Sequence, residues 1–263
     1  MSNFSRWQAG TAAFLAIGLT TAAVAPLVCP APAFAQAVNF SDVPDNHWAK
    51  DFITELTKMG IIEGFPDGTF DPEGPVTRAQ FAAMLSRANR EEYWDRPDIN
   101  RRVKFDDVST TFWASIAIDN AIRTGFMRGY PGNIFSPHRN IPREQVFVSL
   151  ANGLGYTQTL TQEPSSVLNI YNDTSSISQY AIVPMAAATV NQLVVNYPNR
   201  ARLGPQNNAT RAQVAAAIYQ GLVRDGKAPA INSPYRTHLR SHEGAASRFS
   251  ISLIKQRLIL LVA

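Results

Sequence analysis

Cysteine is nearly missing from this sequence, with Cys29 the only one. It lies in an N-terminal stretch that reads as removable, so the rest of the chain has no disulfide, no thiol nucleophile and no Cys-based metal site. Histidine is scarce too, at positions 47, 138, 238 and 242. His238 and His242 share helical i, i+4 spacing, but neither the Glu after the first His nor a third ligand accompanies them. A Gly-x-Ser-x-Gly elbow, a glycine-rich phosphate loop and a long alternating-strand region are all lacking. The adjacent Asp106 and Asp107 rarely could face one pocket, and capping is the better reading of them. These absences exclude the familiar enzyme classes: no catalytic residue, metal or cofactor is assigned, and the chain reads as non-catalytic.

Positive charge is missing where a nucleic-acid-binding body would need it. The whole chain carries +4, yet residues 36–235 hold 18 Lys and Arg against 19 Asp and Glu. The excess sits in the tail 236–263, where five basic residues face Glu243 alone. No nucleic-acid partner is therefore expected. Long uninterrupted apolar runs are lacking as well. Arg6, the apolar stretch from Ala9 to Ala25 and Ala33-Phe34-Ala35 before Gln36 form a signal-peptide pattern over residues 1–35. Pro26, Pro30 and Pro32 keep that run below the roughly 20 residues of a spanning helix. The chain is thus expected to be exported, to the cell envelope. The tail is apolar from Ile251 to Val262 but contains Lys255 and Arg257, too short and too charged to span a bilayer. No function is favoured for it, and a membrane-surface helix is the disfavoured alternative.

What is present is repetition. Phe40-x-Asp42-Val43 returns as Phe105-x-Asp107-Val108, 65 residues later. His47-Trp48-Ala49 and Phe112-Trp113-Ala114, Gly64-Phe65-Pro66 and Gly129-Tyr130-Pro131, and Phe70-x-Pro72 and Phe135-x-Pro137 keep the same offset. A worn third copy runs through Tyr171-Asn172-Asp173, Tyr180-Ala181 and Asn196-Tyr197-Pro198 to Thr210-Arg211-Ala212-Gln213. That last segment repeats Thr77-Arg78-Ala79-Gln80, with Pro142-Arg143-Glu144-Gln145 between them. Units are expected over 40–90, 105–155 and 171–223, joined by a charged connector 90–104 and a polar one 157–166. Within the first, Pro44-Asp45-Asn46 reads as a helix start before Trp48, Phe52, Leu56 and Met59, which share one apolar face, and Gly60 stops the helix. A Pro-Asp-Gly turn follows, and Thr77 opens a second helix with Phe81, Met84, Leu85 and Ala88 on one side. Neither helix can bury its face alone, so three helix-loop-helix units should pack into one mostly α body.

These motifs, F-x-D-V, W-A, G-I-I-x-G-x-x-D-G-x-F-x-P and T-R-A-Q-F-A, resemble the S-layer homology domain over about residues 40–223. The resemblance implies three repeats in a pseudo-threefold bundle. It also implies binding of a secondary cell-wall polysaccharide or peptidoglycan-linked glycan, often through pyruvylated sugars, in the cell wall, periplasm or cell surface. Pro142 for Thr, Tyr180 for Trp and Asn196 for Gly depart from the pattern and weaken the third groove.

The residues themselves supply a modest electrostatic reason. Thr77 with Gln80 and Thr210 with Gln213 are spaced as capping boxes. Arg78, Arg143 and Arg211 follow each helix start, where a cation opposes the helix dipole at a cost of up to about 1 kcal/mol. A repeated unfavourable choice asks for a partner. One reading is a ligand carboxylate meeting both the guanidinium and the free first-turn N–H groups. The other is an acid of the same bundle, with Asp42, Asp107 and Asp173 as candidates. Trp48 and Trp113 offer a face for a sugar ring, or are simply the largest knobs of their helices. Gly64 and Gly129 suit a loop that needs positive φ or close backbone approach. The candidate ligand set is therefore Arg78, Arg143, Arg211, Trp48, Trp113, Gly64, Gly129, Asp42 and Asp107. A protein-protein module using the same grooves is the alternative, and a wall hydrolase ranks last.

Overall fold

In a computed structural model of the chain, the described residues are 39–89 and 103–237. Residues 1–35, expected to be a signal peptide, most of the charged connector, and the tail after Thr237 with His238 and His242 lie outside them. Seven α-helices form among the described residues: α1 Lys50–Lys58, α2 Arg78–Ala88, α3 Ser115–Arg123, α4 Arg143–Gly153, α5 Pro164–Leu168, α6 Ile182–Val190 and α7 Arg211–Arg224. The only β-pairing there consists of isolated bridges.

Each unit contributes an outer first helix (α1, α3, α6) and a second helix (α2, α4, α7). The first helix of one unit packs on the second helix of the preceding unit: α3 on α2, α6 on α4 and, closing the circle, α1 on α7. Fully buried Phe52, Phe81, Phe70, Phe135 and Tyr219 fill the space between them. Phe52 of α1 meets Tyr219 of α7 edge-on at 5.7 Å, which joins the first unit to the last. Each such side chain contributes about 1.5–3 kcal/mol by leaving water; Phe70 and Phe135 also meet Phe40 and Phe105 of their own units at 5.3 and 5.5 Å.

The residues just before the second helices meet at the centre. Val76 N–H donates to Ala209 C=O (3.0 Å), Ala209 N–H to Ile141 C=O (2.8 Å), and Ile141 N–H to Val76 C=O (2.8 Å). These three bonds close on themselves, and Val76, Ile141 and Ala209 are buried around them. A pseudo-threefold bundle is the result.

Local signals explain most boundaries, and two differ from expectation. Helix α1 begins at Lys50, with Ala49 before it making no side-chain cap. The Pro44-Asp45-Asn46 segment forms turns instead, closed by His47 N–H to Pro44 C=O at 2.8 Å. Met59, expected on the apolar face, ends the helix 43% exposed. The polar run 157–166 ends in the short helix α5, which packs on α6. Gly60 has φ of 68°, a left-handed value that stops α1 where expected.

Both capping boxes form: Thr77 and Gln80 bond each other's backbone N–H at the start of α2, as do Thr210 and Gln213 at α7. Pro142 has no N–H, so α4 has no box. Thr77→Ala and Thr210→Ala should each lower stability by about 1 kcal/mol, read as a fall in the urea midpoint with an unchanged slope.

Candidate functional site

Each loop leading into a second helix makes a tight turn, closed by Gly74 N–H to Asp71 C=O, Arg139 N–H to Ser136 C=O or Asn207 N–H to Gly204 C=O. It presents two carbonyls two residues apart to the second-helix start of the preceding unit. In the second unit Pro137 C=O accepts from Ala79 N–H (3.0 Å) and Arg139 C=O from Arg78 N–H (2.9 Å). In the third, Pro205 and Asn207 accept from Glu144 and Arg143 (3.0 and 2.9 Å); in the first, Pro72 and Gly74 accept from Ala212 and Arg211 (both 2.9 Å). The first-turn N–H groups are therefore consumed within the fold. The expectation that they stand free for a ligand carboxylate is corrected on this point.

The arginines find their partners in the same loops. Arg78 Nε donates to Phe135 C=O (2.8 Å), Nη2 to Arg128 C=O (2.8 Å) and Nη1 to Gln145 Oε1 (3.0 Å). Gln145 is available because Pro142 offers no N–H for it to cap. Arg143 Nε donates to Leu203 C=O and Nη2 to Asn196 Oδ1, both 2.8 Å. Arg211 Nε reaches Phe70 C=O (2.7 Å) and Nη2 reaches Glu63 C=O (2.8 Å). Arg78 and Arg143 are only 4% and 6% exposed.

The aspartates expected as ion-pair partners hold the other side of the same peptides. Asp42 accepts from Phe70 and Asp71 N–H (2.8 and 2.6 Å), Asp107 from Phe135 and Ser136 (2.8 and 2.6 Å), and Asp173 from Leu203 and Gly204 (2.9 and 2.8 Å). The peptides joining Phe70 to Asp71, Phe135 to Ser136 and Leu203 to Gly204 thus each carry a guanidinium on the C=O and a carboxylate on the N–H. The charges polarise one peptide between them, a charge-assisted arrangement at both ends. Burial lowers the Arg143 pKa to about 10, with Tyr171 and Asp173 acting the other way. Arg78 and Arg211 are lowered by burial too, Asp107 and Asp42 being among the groups that counter it.

Three grooves result, and no unit owns one. Each takes its loop from one unit, its arginine from the preceding unit and its W-A aromatic from the following one. In the groove of the third loop, Trp48 stacks on Tyr197 at 5.3 Å and 6°, and Tyr235 meets Tyr197 edge-on at 4.9 Å. Trp48 is half-buried and its indole Nε1 has no hydrogen-bond partner among the described residues. In the groove of the second loop, Arg78 and Arg139 lie over the Tyr130 ring at 4.6 and 5.5 Å. The third unit contributes Tyr180, which donates to Glu144 at 2.7 Å. In the groove of the first loop, Arg211 covers Phe65 at 5.0 Å. Trp113 is the W-A aromatic of the second unit and is 63% exposed, against the reading of both tryptophans as core knobs.

The loop glycines work by close approach. A methyl group on Gly64 would run into the Phe40 ring, and one on Gly129 into Phe105, while the positive φ values fall at Gly68 and Gly132 (82° and 80°). The third unit reaches the same end differently. Tyr171 replaces the Phe and places its hydroxyl 3.2 Å from Thr189 Oγ1, and Asn196 replaces the Gly and gives its side chain to Arg143. Sequence reasoning missed Glu144, buried at 2% exposure beneath Tyr180. It also missed Leu203-Gly204-Pro205, the third copy of Phe-x-Pro, whose aligned proline was the available signal. Arg236 and Thr237, assigned to the tail, are tied to the third unit through Gln192 (2.6 Å) and Val194 (3.1 Å). Among the described residues, no cluster of three His, Cys, Asp or Glu could hold a metal ion, and no helix is long and apolar enough to cross a membrane.

Comparison with known proteins finds the family model of the S-layer homology domain at residues 39–82, 104–147 and 170–215. The chain is 34% identical over 196 residues to an amylopullulanase of Thermoanaerobacterium thermosulfurigenes, covering 74% of this chain and 10% of that protein. It is 32% identical over 113 residues to a cellulosome-anchoring protein of Acetivibrio thermocellus, covering 41% and 24%. An S-layer protein of Bacillus licheniformis matches at 33% over 135 residues, covering 51% and 14%. The chain thus spans only 10% to 24% of the lengths of these relatives.

Burial, then the Glu144 hydrogen bond, raises the Tyr180 pKa to about 12. A folded state that holds this proton more tightly than the unfolded chain, where tyrosine titrates near 10, has its full stabilisation below pH 10 and loses it as pH rises through 12. Tyr180→Phe has no proton to lose, and should flatten the fall of the urea midpoint between pH 10 and 12.

Proposed function

The chain belongs to the S-layer homology domain family, and from that premise we propose that it is a non-catalytic anchor holding to an anionic, cell-wall-linked polysaccharide. The observation that carries this reading is the arginine set against aromatic rings beside a rigid loop, recurring round the body: Arg78 with Tyr130, Arg211 with Phe65, and Arg143 beside Tyr197. A guanidinium answers a carboxylate, such as a pyruvate ketal, and an aromatic face answers the C–H side of a sugar ring. The loop between them is held at both ends of one peptide, so little ordering remains for binding to bring about.

The relatives support the absence of catalysis. An amylopullulanase, an anchoring protein and an S-layer protein share this segment. A common segment is a poor seat for activities that differ among its owners. Two or three modest grooves on one body gain from a polymer that repeats its epitope, since the second contact becomes intramolecular. The signal-peptide pattern over residues 1–35 fits export to the envelope. The units at 40–90, 105–155 and 171–223 are proposed as the anchoring module.

One observation favours a second reading, docking of an envelope protein. Trp113 and Ile116 are 63% and 48% exposed three residues apart, and Tyr180 and Val183 repeat the pair at 55% and 43%.

Sedimentation of the purified chain with wall sacculi decides between them. Co-sedimentation that is lost after mild acid removes ketals and accessory polysaccharide is the expected result. Binding that survives stripping, or no binding to intact wall, overturns the anionic-glycan reading, and the latter favours the protein partner.

A further inference from the structure

One of the three loops has a neighbour that the other two lack. Residues 194–196, just before Tyr197, are paired with the chain's own Tyr235-Arg236-Thr237. Asn196 N–H donates to Tyr235 C=O (3.0 Å), Thr237 N–H donates to Val194 C=O (3.1 Å), and Val195 faces Arg236 in an antiparallel bridge. The counterparts of Val194, Val195 and Asn196 are Ile62, Glu63 and Gly64 in the first unit and Met127, Arg128 and Gly129 in the second. The same acceptor and donor recur there, on Ile62 C=O and Gly64 N–H and on Met127 C=O and Gly129 N–H, and none of these has a hydrogen-bond partner among the described residues. Exposure follows the pairing. Val195, opposite Arg236, is 2% exposed, whereas the Glu63 side chain is 68% exposed and Arg128 is exposed too.

A bare edge of this kind is a template for a further strand, and a charge at its middle decides which strand is admitted. Val195 and Arg236 form a non-hydrogen-bonded pair, the kind in which opposed side chains come closest. A residue opposite Glu63 is therefore favoured when basic, and the reverse holds opposite Arg128. Glu63 meets Arg87 at 2.9 Å on the surface, and a carboxylate has lone pairs for a second cation. The first edge also adjoins a cavity of about 230 Å³ with an apolar lining of Met59, Ile61, Ala88 and Leu222. Arg87 and Lys227 border it, which disfavours a basic side chain there. Ile61 lies two residues before Glu63. An antiparallel strand thus brings to this cavity the residue two after the one opposite Glu63, on the same face. In the second unit Phe126 stands where the first has Ile61, and its ring takes the space beside Gly153, the counterpart of Ala88.

We propose that the edge Ile62-Glu63-Gly64 docks an extended segment of a partner protein, with a basic residue opposite Glu63 and an apolar side chain two residues later in the adjoining cavity. The segment adds as an antiparallel strand, donating to Ile62 C=O and accepting from Gly64 N–H, as residues 235–237 do on the third unit. A second copy of this chain is the poorer occupant: its residues 235–237 are already in use, and it would bare one edge to cover another. The proposal goes beyond the anchoring reading and does not depend on it.

The test is fluorescence anisotropy of the peptide fluorescein-Ser-Pro-Tyr-Arg-Thr-Leu amide, which copies residues 233–237 and adds a leucine for the cavity, titrated with the full chain. A single site should saturate. Methylating the threonine N–H removes the donor for Ile62 C=O and should weaken binding roughly tenfold. Glu63→Arg should weaken it roughly fivefold. A peptide with glutamate in place of arginine should recover that loss, which a merely disturbed fold would not allow. Absence of saturable binding, or binding indifferent to the methyl group, overturns the edge assignment. Unchanged affinity in Glu63→Arg means that the peptide exchanges with residues 235–237 on the third unit, and overturns it as well. Displacement of the peptide by isolated wall polysaccharide gives the edge to the glycan and also overturns it. None of these results bears on sedimentation with wall, which decides anchoring separately.

Discussion

Three hydrogen bonds that close on themselves, Val76 to Ala209, Ala209 to Ile141 and Ile141 to Val76, are the constraint from which the rest follows. They fix three chain segments head to tail about one axis, so each second helix starts at a set distance from the loop of the following unit. Once that is fixed, the carbonyls of the loop turn fall on the first-turn N–H groups, and the arginine at the first helical position falls on the carbonyl two residues earlier. The unfavourable placement of a cation at a helix N-terminus is offset by hydrogen bonds it could make nowhere else. Outer helices then bury their apolar faces across unit boundaries, and Phe52 against Tyr219 closes the circle.

The same constraint explains why a groove cannot be credited to a repeat. Loop, arginine and aromatic come from three units, so drift in one unit changes parts of three grooves. The third unit shows how drift is absorbed. Tyr171 trades ring packing for a hydroxyl contact to Thr189, Asn196 supplies a side-chain acceptor to Arg143, and Tyr180 finds Glu144. Each replacement keeps a buried polar group paired, which is the condition a packed interior enforces. Weak resemblance in a repeat is therefore no measure of a weak groove.

Much of the fold was legible because it rests on side-chain identity. The 65-residue period, the capping boxes at Thr77 and Thr210 and the halt at Gly60 are written in residue types, and the structure has them. The partners of the arginines were not legible, because they are backbone carbonyls, and every residue has one. Asp42, Asp107 and Asp173 were recognised as important but assigned to the wrong donors for the same reason. The start of α1 was placed too early because Pro44-Asp45-Asn46 satisfies a helix-start pattern and a turn pattern alike. The exposure of Trp113 was not legible because a spacing of three to four places a residue on a face without saying whether a neighbour covers it. Glu144 left no periodic trace, being the one unit's departure from alanine.

Native-state hydrogen exchange at the amides of Val76, Ile141 and Ala209 tests the central constraint most directly. A closed ring opens as a whole, so the three amides should share one opening free energy, equal to that of global unfolding. Distinct values for the three, with the third unit's amide exchanging by a cheaper local opening, would contradict the interlocked bundle and return the chain to three units that merely stack.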